Sequence, residues 1–288
     1  AKQGESQGKA ATTAATKQTE MKTRCRRTKQ EQSETENRPL QTFPSWNTEH
    51  VLSGQYTKDL NTWFSDQFVC RDQNIHIKYL IQKTFGVKEI QDVFLTKQGL
   101  IEKTAKPNKE QLERNLNAIN TFKQNNPELN VGFVTAPNAV SIKKEYLPKY
   151  AVTLNQDKQI DNIYSKLDDS IVKIDLRNTL KKHKDEYLYY KTDHHWTSLA
   201  SYYAYQDIAK AFNLETTKQS DYTIYPVTTN FEGTLANKTG SVNIKDEIDI
   251  YVPKDKCDYV ITDESTNKKS RTIYHSDALG TKDQYTVF

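Results

Sequence analysis

Cysteine is too sparse in this chain to build with. Its three residues, Cys25, Cys70 and Cys257, are odd in number and show no C-x-x-C spacing, which argues against a zinc ribbon or a disulfide scaffold. A single Cys70–Cys257 bridge stays open. Long apolar runs are also missing, and nothing approaches the ~20 residues needed to span a bilayer. Met21 to Arg27 resembles the charged start of a secretion signal, yet no apolar stretch follows it. A basic stripe is absent as well. Residues 1–30 hold eight Lys/Arg against two acids, whereas the rest holds 33 against 35, so the net charge of +4 belongs to the tail. A nucleic-acid binder carries its positive charge on the fold, so nucleic acid is not an expected partner. Glycine, at nine, and methionine, at one, are scarce, and there are no internal repeats.

What is present is tyrosine, 17 residues of it, in a chain of 288 that is long enough for one large domain or a domain with an appendage. Residues 1–36 are polar, with nothing apolar larger than Met21, and read as a disordered basic tail. Residues 37–106 read as a helical segment followed by a hairpin. Tyr56, Leu60, Trp63 and Phe64 have helical spacing, Ile75 to Leu80 extend a second helix, and Asp92 to Ile101 turns at Gln98-Gly99.

From 107 to 288 the pattern predicts an α/β domain. Helices over 108–124, 155–167, 177–184 and from Trp196 to about Phe212 alternate with strands at 131–135 and 171–176 and an extended piece at 187–190. Such alternation implies βαβ units and a mainly parallel sheet. Further β-like pieces fall at Ile248–Val252, Tyr259–Thr262 and Arg271–Tyr274. The last residues, Tyr285-Thr286-Val287-Phe288, lie inside an apolar run, which predicts a chain truncated at its C-terminus.

Chemistry concentrates in Asp193-His194-His195-Trp196, where a tyrosine-rich extended piece gives way to a helix. An aspartate two residues before a histidine can fix the imidazole's tautomer and free its other nitrogen as a base. A helix starting at Thr197 or Ser198 favours neutral imidazole at its positive end. The plainer reading is a loop in which His packs on Trp and Asp caps the helix. On this sequence view His194 points elsewhere. A metal site lacks a clear third and fourth ligand, since adjacent histidines do not easily converge and His50, His76, His183 and His275 suggest none. No cofactor is called for. Tyr190 and Trp196, nearest the motif, are candidate sugar-stacking residues, although such aromatics are more often core.

The run Asp193-His194-His195-Trp196-Thr197 resembles the signature of the bacterial DHHW protein family, which is similar to the SGNH-hydrolase-like domains of alginate O-acetylation proteins. Four more pieces match in order: Ser33 to Leu40; Phe64-Ser65-Asp66-Gln67-Phe68 with Arg71-Asp72; Ala136-Pro137-Asn138 with Glu145 to Pro148; and Phe231-Glu232-Gly233-Thr234-Leu235. The resemblance runs from about residue 33 to the end. It implies a three-layer SGNH-like domain, an O-acyltransferase or esterase acting on a cell-surface or secreted polysaccharide outside the cytoplasm, an acyl donor, and a membrane-associated acyltransferase as partner. Asp193 becomes the orienting acid and His195 the base of a serine nucleophile. That serine has no match here. Ser276, in His275-Ser276-Asp277, lacks the strand and helix of a nucleophile turn, so the chain as given is expected to be inactive. Val69-Cys70 stands where relatives carry Pro-Gly, and a hydrophilic, basic tail stands where relatives begin with a membrane anchor or signal. A non-catalytic glycan-binding or assembly module is the alternative. A DHH-type manganese phosphoesterase is a further one, but its upstream Asp-x-Asp and its glycine-rich His segment are missing.

Overall fold

The computed structural model describes residues 31–33, 38–68, 70–255 and 258–288. The expected tail falls outside these residues, apart from Glu31 and Gln32–Ser33, the latter pairing antiparallel with Arg38–Pro39. Two compact units follow, with the division between Ile81 and Gln82.

The first unit is helical. Thr48–Leu52 is capped by Asn47, whose side chain accepts from the His50 N–H at 2.6 Å, and Gln55–Asp66 and Arg71–Thr84 follow. Trp63 meets Phe43 edge to face, with ring centroids 5.0 Å apart. Cys70 is disulfide-bonded; Cys25 and Cys257 both lie outside the described residues.

In the second unit the hairpin Val93–Thr96/Gly99–Glu102 turns through Lys97-Gln98, one residue before the expected turn. Its alternation serves two buried faces. Phe94 and Ile101 pack with Val140, while Val93 and Leu100 pack with Leu235 and Ala236. A continuous apolar run is what a strand buried on both faces requires.

Gly132–Thr135 and Val172–Asp175 form a parallel pair joined through the helix Gln156–Ser165. Period-2 alternation sends Val131 and Phe133 toward a cluster with Leu116, Leu167 and Ile163 on one side. Ile174 joins Leu176, Leu180, Leu188, Ala200 and Ala204 on the other. Helices therefore cover both faces, in the three-layer manner expected. Gly132 is fixed by packing, since a Cβ there would sit 2.5 Å from the Phe212 ring.

The expectation of a mainly parallel sheet needs correction. Among the described residues this is the one parallel pair; the other five pairings are antiparallel, so the sheet structure is mixed. The helix–strand alternation stops after Phe212. Beyond it, Tyr222–Phe231 leads through the short helix Thr234–Thr239 to Asp246–Pro253, and the chain returns beside the strand it has just left. The smaller expectations also shift at this end: the last hairpin pairs Ile261–Asp263 with Lys268–Ser270, so Arg271–Tyr274 is not a strand.

Candidate active site

The motif occupies a tight loop. Tyr189 bridges to Trp196, and the Thr197 N–H donates to the Leu188 carbonyl at 2.9 Å. The chain thus reverses over residues 190–195 before Thr197 starts the helix Ser198–Ala211. The Thr197 hydroxyl donates back to the Tyr187 carbonyl at 2.5 Å and fastens the base of the loop.

Asp193 is 3 % exposed and its carboxylate is fully used. One oxygen accepts from the His195 backbone N–H at 3.0 Å and from His195 Nδ1 at 2.6 Å. The other accepts from the Thr234 N–H at 2.7 Å and the Thr234 hydroxyl at 2.9 Å. Burial alone would raise this carboxyl, but the donors from His195 and Thr234 outweigh it and hold the group well below the usual carboxylate range. Because a carboxylate can only accept, the neutral His195 ring carries its proton on Nδ1, which leaves Nε2 with its lone pair. Among the described residues nothing hydrogen-bonds Nε2. The ring is partly exposed and stacks on Tyr285, with centroids 4.1 Å apart and planes 15° from parallel.

A second carboxylate holds the loop from below. Asp246, 2 % exposed, accepts from the Lys191 N–H at 2.8 Å, the Thr192 N–H at 2.7 Å, and the Thr192 and Tyr187 hydroxyls at 2.5 Å each. The Thr192 hydroxyl in turn accepts from the Gly233 N–H at 2.9 Å, and its carbonyl accepts from Leu235 and Ala236. The hairpin end closes in as well: Leu100 N–H donates to the Lys191 carbonyl at 2.8 Å. At Gly233 the backbone runs so close that a Cβ would lie 2.3 Å from Asp193 Cβ. This is the physical reason for glycine in Phe231-Glu232-Gly233-Thr234-Leu235.

Of the residues singled out from sequence, Asp193 and His195 come together, and Trp196 lines an adjoining pocket with Tyr285. Tyr190 does not. It is 2 % exposed, packed edge to face against Phe231 and Tyr285, with a buried hydroxyl that has no hydrogen-bond partner. Its ring offers no face to a sugar, so the expected stacking role gives way to a packing role. His194 is also placed differently from expectation: its Nδ1 lies 3.0 Å from the Thr234 hydroxyl and 3.5 Å from Asp193, and its ring lies 4.0 Å from that of His195. The ligand atoms of Asp193, His194 and His195 therefore do converge, within 4.8 Å of one another. Four hydrogen bonds already fill the acceptor sites of the Asp193 carboxylate, so an ion would have to break them. Ser276 is exposed on the turn Ser276–Gly280 and makes no hydrogen bond to His195. Sequence reasoning missed Thr234 and Asp246 as partners of the motif loop.

The sequence model that matches residues 93–288 places this α/β domain in the SGNH-hydrolase-like class. More narrowly, the chain belongs to the family of the SGNH hydrolase-like domain of acetyltransferase AlgX. Comparison with curated proteins gives no match. Among solved structures the chain is similar to a DHHW family protein from Eubacterium siraeum, at TM-score 0.54 and 20 % identity over 66 % of this chain and 67 % of that one. It is similar to Bacillus cereus PatB1 carrying a sulfonyl adduct, at TM-score 0.51 and 17 % identity over 63 % of each chain. The match thus spans less than two thirds of PatB1, and at these identities it speaks for the fold alone. No described helix is long and apolar enough to cross a membrane.

Proposed function

We propose that this domain is an O-acyltransferase or esterase that works outside the cytoplasm on a polysaccharide, with His195 as base and Asp193 as its orienter. One observation carries the reading: the 2.6 Å contact from His195 Nδ1 to a saturated, immobile carboxylate, which leaves Nε2 open. A hydroxyl brought to Nε2 gives up its proton there as its oxygen bonds to the acyl carbonyl carbon. When the tetrahedral adduct collapses, the same proton passes to the leaving oxygen. In the acyl-serine route the first hydroxyl is a serine and the final acceptor is a sugar hydroxyl or water. Acetyl is the acyl group that the family's description suggests.

The test is acetyl transfer from an activated ester to polysaccharide, and its hydrolysis, by the full-length protein and its His195→Ala and Asp193→Asn variants. The reading expects each to lose about a thousandfold or more in kcat. Activity undiminished in His195→Ala removes it. A non-catalytic glycan-binding module is the second reading, favoured by the lack of any described hydroxyl bonded to Nε2. Labelling of a serine by a sulfonyl fluoride, abolished in His195→Ala, would exclude that alternative.

A further inference from the structure

A second pocket opens between the hairpin Val93–Thr96/Gly99–Glu102 and the segment that follows the short turn Lys144–Tyr146. Its volume of about 540 Å³ is in the range of ligand sites, and none of its lining residues belongs to the motif loop. Phe94, Leu95, Pro148 and Ala151 make an apolar floor, to which Tyr146 and Tyr150 add two rings. Tyr146 is anchored through its hydroxyl, which donates to Asp185 at 2.5 Å.

The charges at this pocket do not cancel. Its two acids are already matched by lysines outside the lining, Glu89 by Lys103 at 2.5 Å and Glu145 by Lys184. Lys88, Lys97 and Lys149 are exposed, and among the described residues none of the three has an ion pair or a side-chain hydrogen bond. Lys149 Nζ lies instead over the Tyr150 ring, 5.4 Å from its centroid. The pocket therefore offers an apolar bed beside three uncompensated cations. Apolar exposure continues outward along the same segment: Tyr150 is 83 % exposed and Val152, two residues on, 78 %. Lysine and tyrosine around apolar side chains suit the boundary between hydrocarbon and headgroups, where stems are buried and polar tips stay wet.

We infer that this pocket takes up one molecule of an anionic lipid, its chain on the apolar floor and its phosphate among Lys88, Lys97 and Lys149. Inorganic phosphate or an acidic sugar would leave the apolar walls wet, and a neutral chain would leave three lysines without a counter-charge. An acidic peptide strand finds no free edge beside the floor, because Val93–Thr96 is paired with Glu89–Ile90 on one side and Gly99–Glu102 on the other. An amphiphile with one anionic head uses both halves of the site. Such a site would hold the domain at an anionic lipid surface whatever the motif loop does, and so stands apart from the proposed function.

Isothermal titration of the full chain with octyl phosphate, kept below its micelle concentration, tests it against inorganic phosphate, butyl phosphate and the neutral octyl glucoside. Octyl phosphate should bind one per chain, and from butyl to octyl the affinity should rise about fourfold for each CH2 that enters the pocket. Lys88→Gln, Lys97→Gln and Lys149→Gln should each weaken octyl phosphate about fivefold and leave octyl glucoside unchanged. Tyr150→Ala, at a position too exposed to matter for folding, should weaken both amphiphiles alike. The triple lysine variant should bind octyl phosphate no better than octyl glucoside. Octyl phosphate left unbound, inorganic phosphate or octyl glucoside bound as tightly, or affinity unaltered in a triple variant that circular dichroism shows to be folded would each overturn the assignment.

Discussion

The motif loop and the aromatic groove beside it both tie down their polar groups but leave different parts exposed. In the loop nearly every donor and acceptor points inward. Asp193 and Asp246 each take four hydrogen bonds at 2 to 3 % exposure, and His195 keeps Nε2 open. In the groove that Trp196 and Tyr285 line, the hydroxyls of Tyr202, Tyr205 and Tyr222 are likewise tied to Thr217, but the rings stay at the surface, Tyr205 being 36 % exposed. The difference teaches where rigidity is needed. A base must be aimed to within tenths of an ångström, which takes hydrogen bonds that fix the carboxylate orienting it. The groove's rings need only stay where their hydroxyls hold them.

The contrast can be broken most severely at Asp246. Asp246→Ala removes the acceptor for two backbone N–H groups and two hydroxyls, at a cost of about 3 kcal/mol or more from buried donors left unpaired. Urea denaturation should show it as a lowered midpoint, and an unchanged midpoint would mean the loop is held otherwise. Gly233→Ala comes next. Its new methyl meets Asp193 Cβ at 2.3 Å and Oδ2 at 2.5 Å, so the loop must shift, at about 1–3 kcal/mol.

Acid gives a third and smaller effect, whose sign follows from Asp193. Its carboxyl is depressed in the folded protein, so the stability it adds is fully present above the unfolded value of about 3.9 and is lost as pH falls toward the folded one. The stability gap between wild type and Asp193→Asn should therefore narrow below about pH 4. A gap constant from pH 6 to pH 3 would refute this. Smallest of all is Tyr205→Ala, which should change stability in the same urea denaturation by no more than about 0.5 kcal/mol. A large loss of stability there would make the groove part of the core.

Much of this was legible in the sequence wherever the signals were local. The helix expected over 108–124 is Lys109–Asn125, capped by the Asn108 side chain, and the helix expected after Trp196 is Ser198–Ala211. The strand Tyr222–Phe231 was not anticipated; Pro226 in its middle argues against a strand. The structure absorbs Pro226 at an irregularity in the register. Asp193 and His195 could be paired from their spacing alone. Thr234 and Asp246 lie 41 and 53 residues from Asp193, and although Thr234 sits in the matching piece Phe231 to Leu235, nothing in the sequence marks either as a partner of the loop until the fold closes. Tyr190 misled for a related reason. Adjacent residues in a strand usually face opposite sides, but here Tyr189 and Tyr190 are both buried, at 4 % and 2 % exposure, since core lies on each side of the loop.

Nitrogen-15 chemical shifts of the His195 ring test the central arrangement most directly. At about pH 8, above the ordinary range of histidine titration, Nδ1 should be protonated and hydrogen-bonded and Nε2 bare, with that tautomer lost in Asp193→Asn. A proton found on Nε2 in the wild type, or a tautomer indifferent to Asp193, would contradict the account.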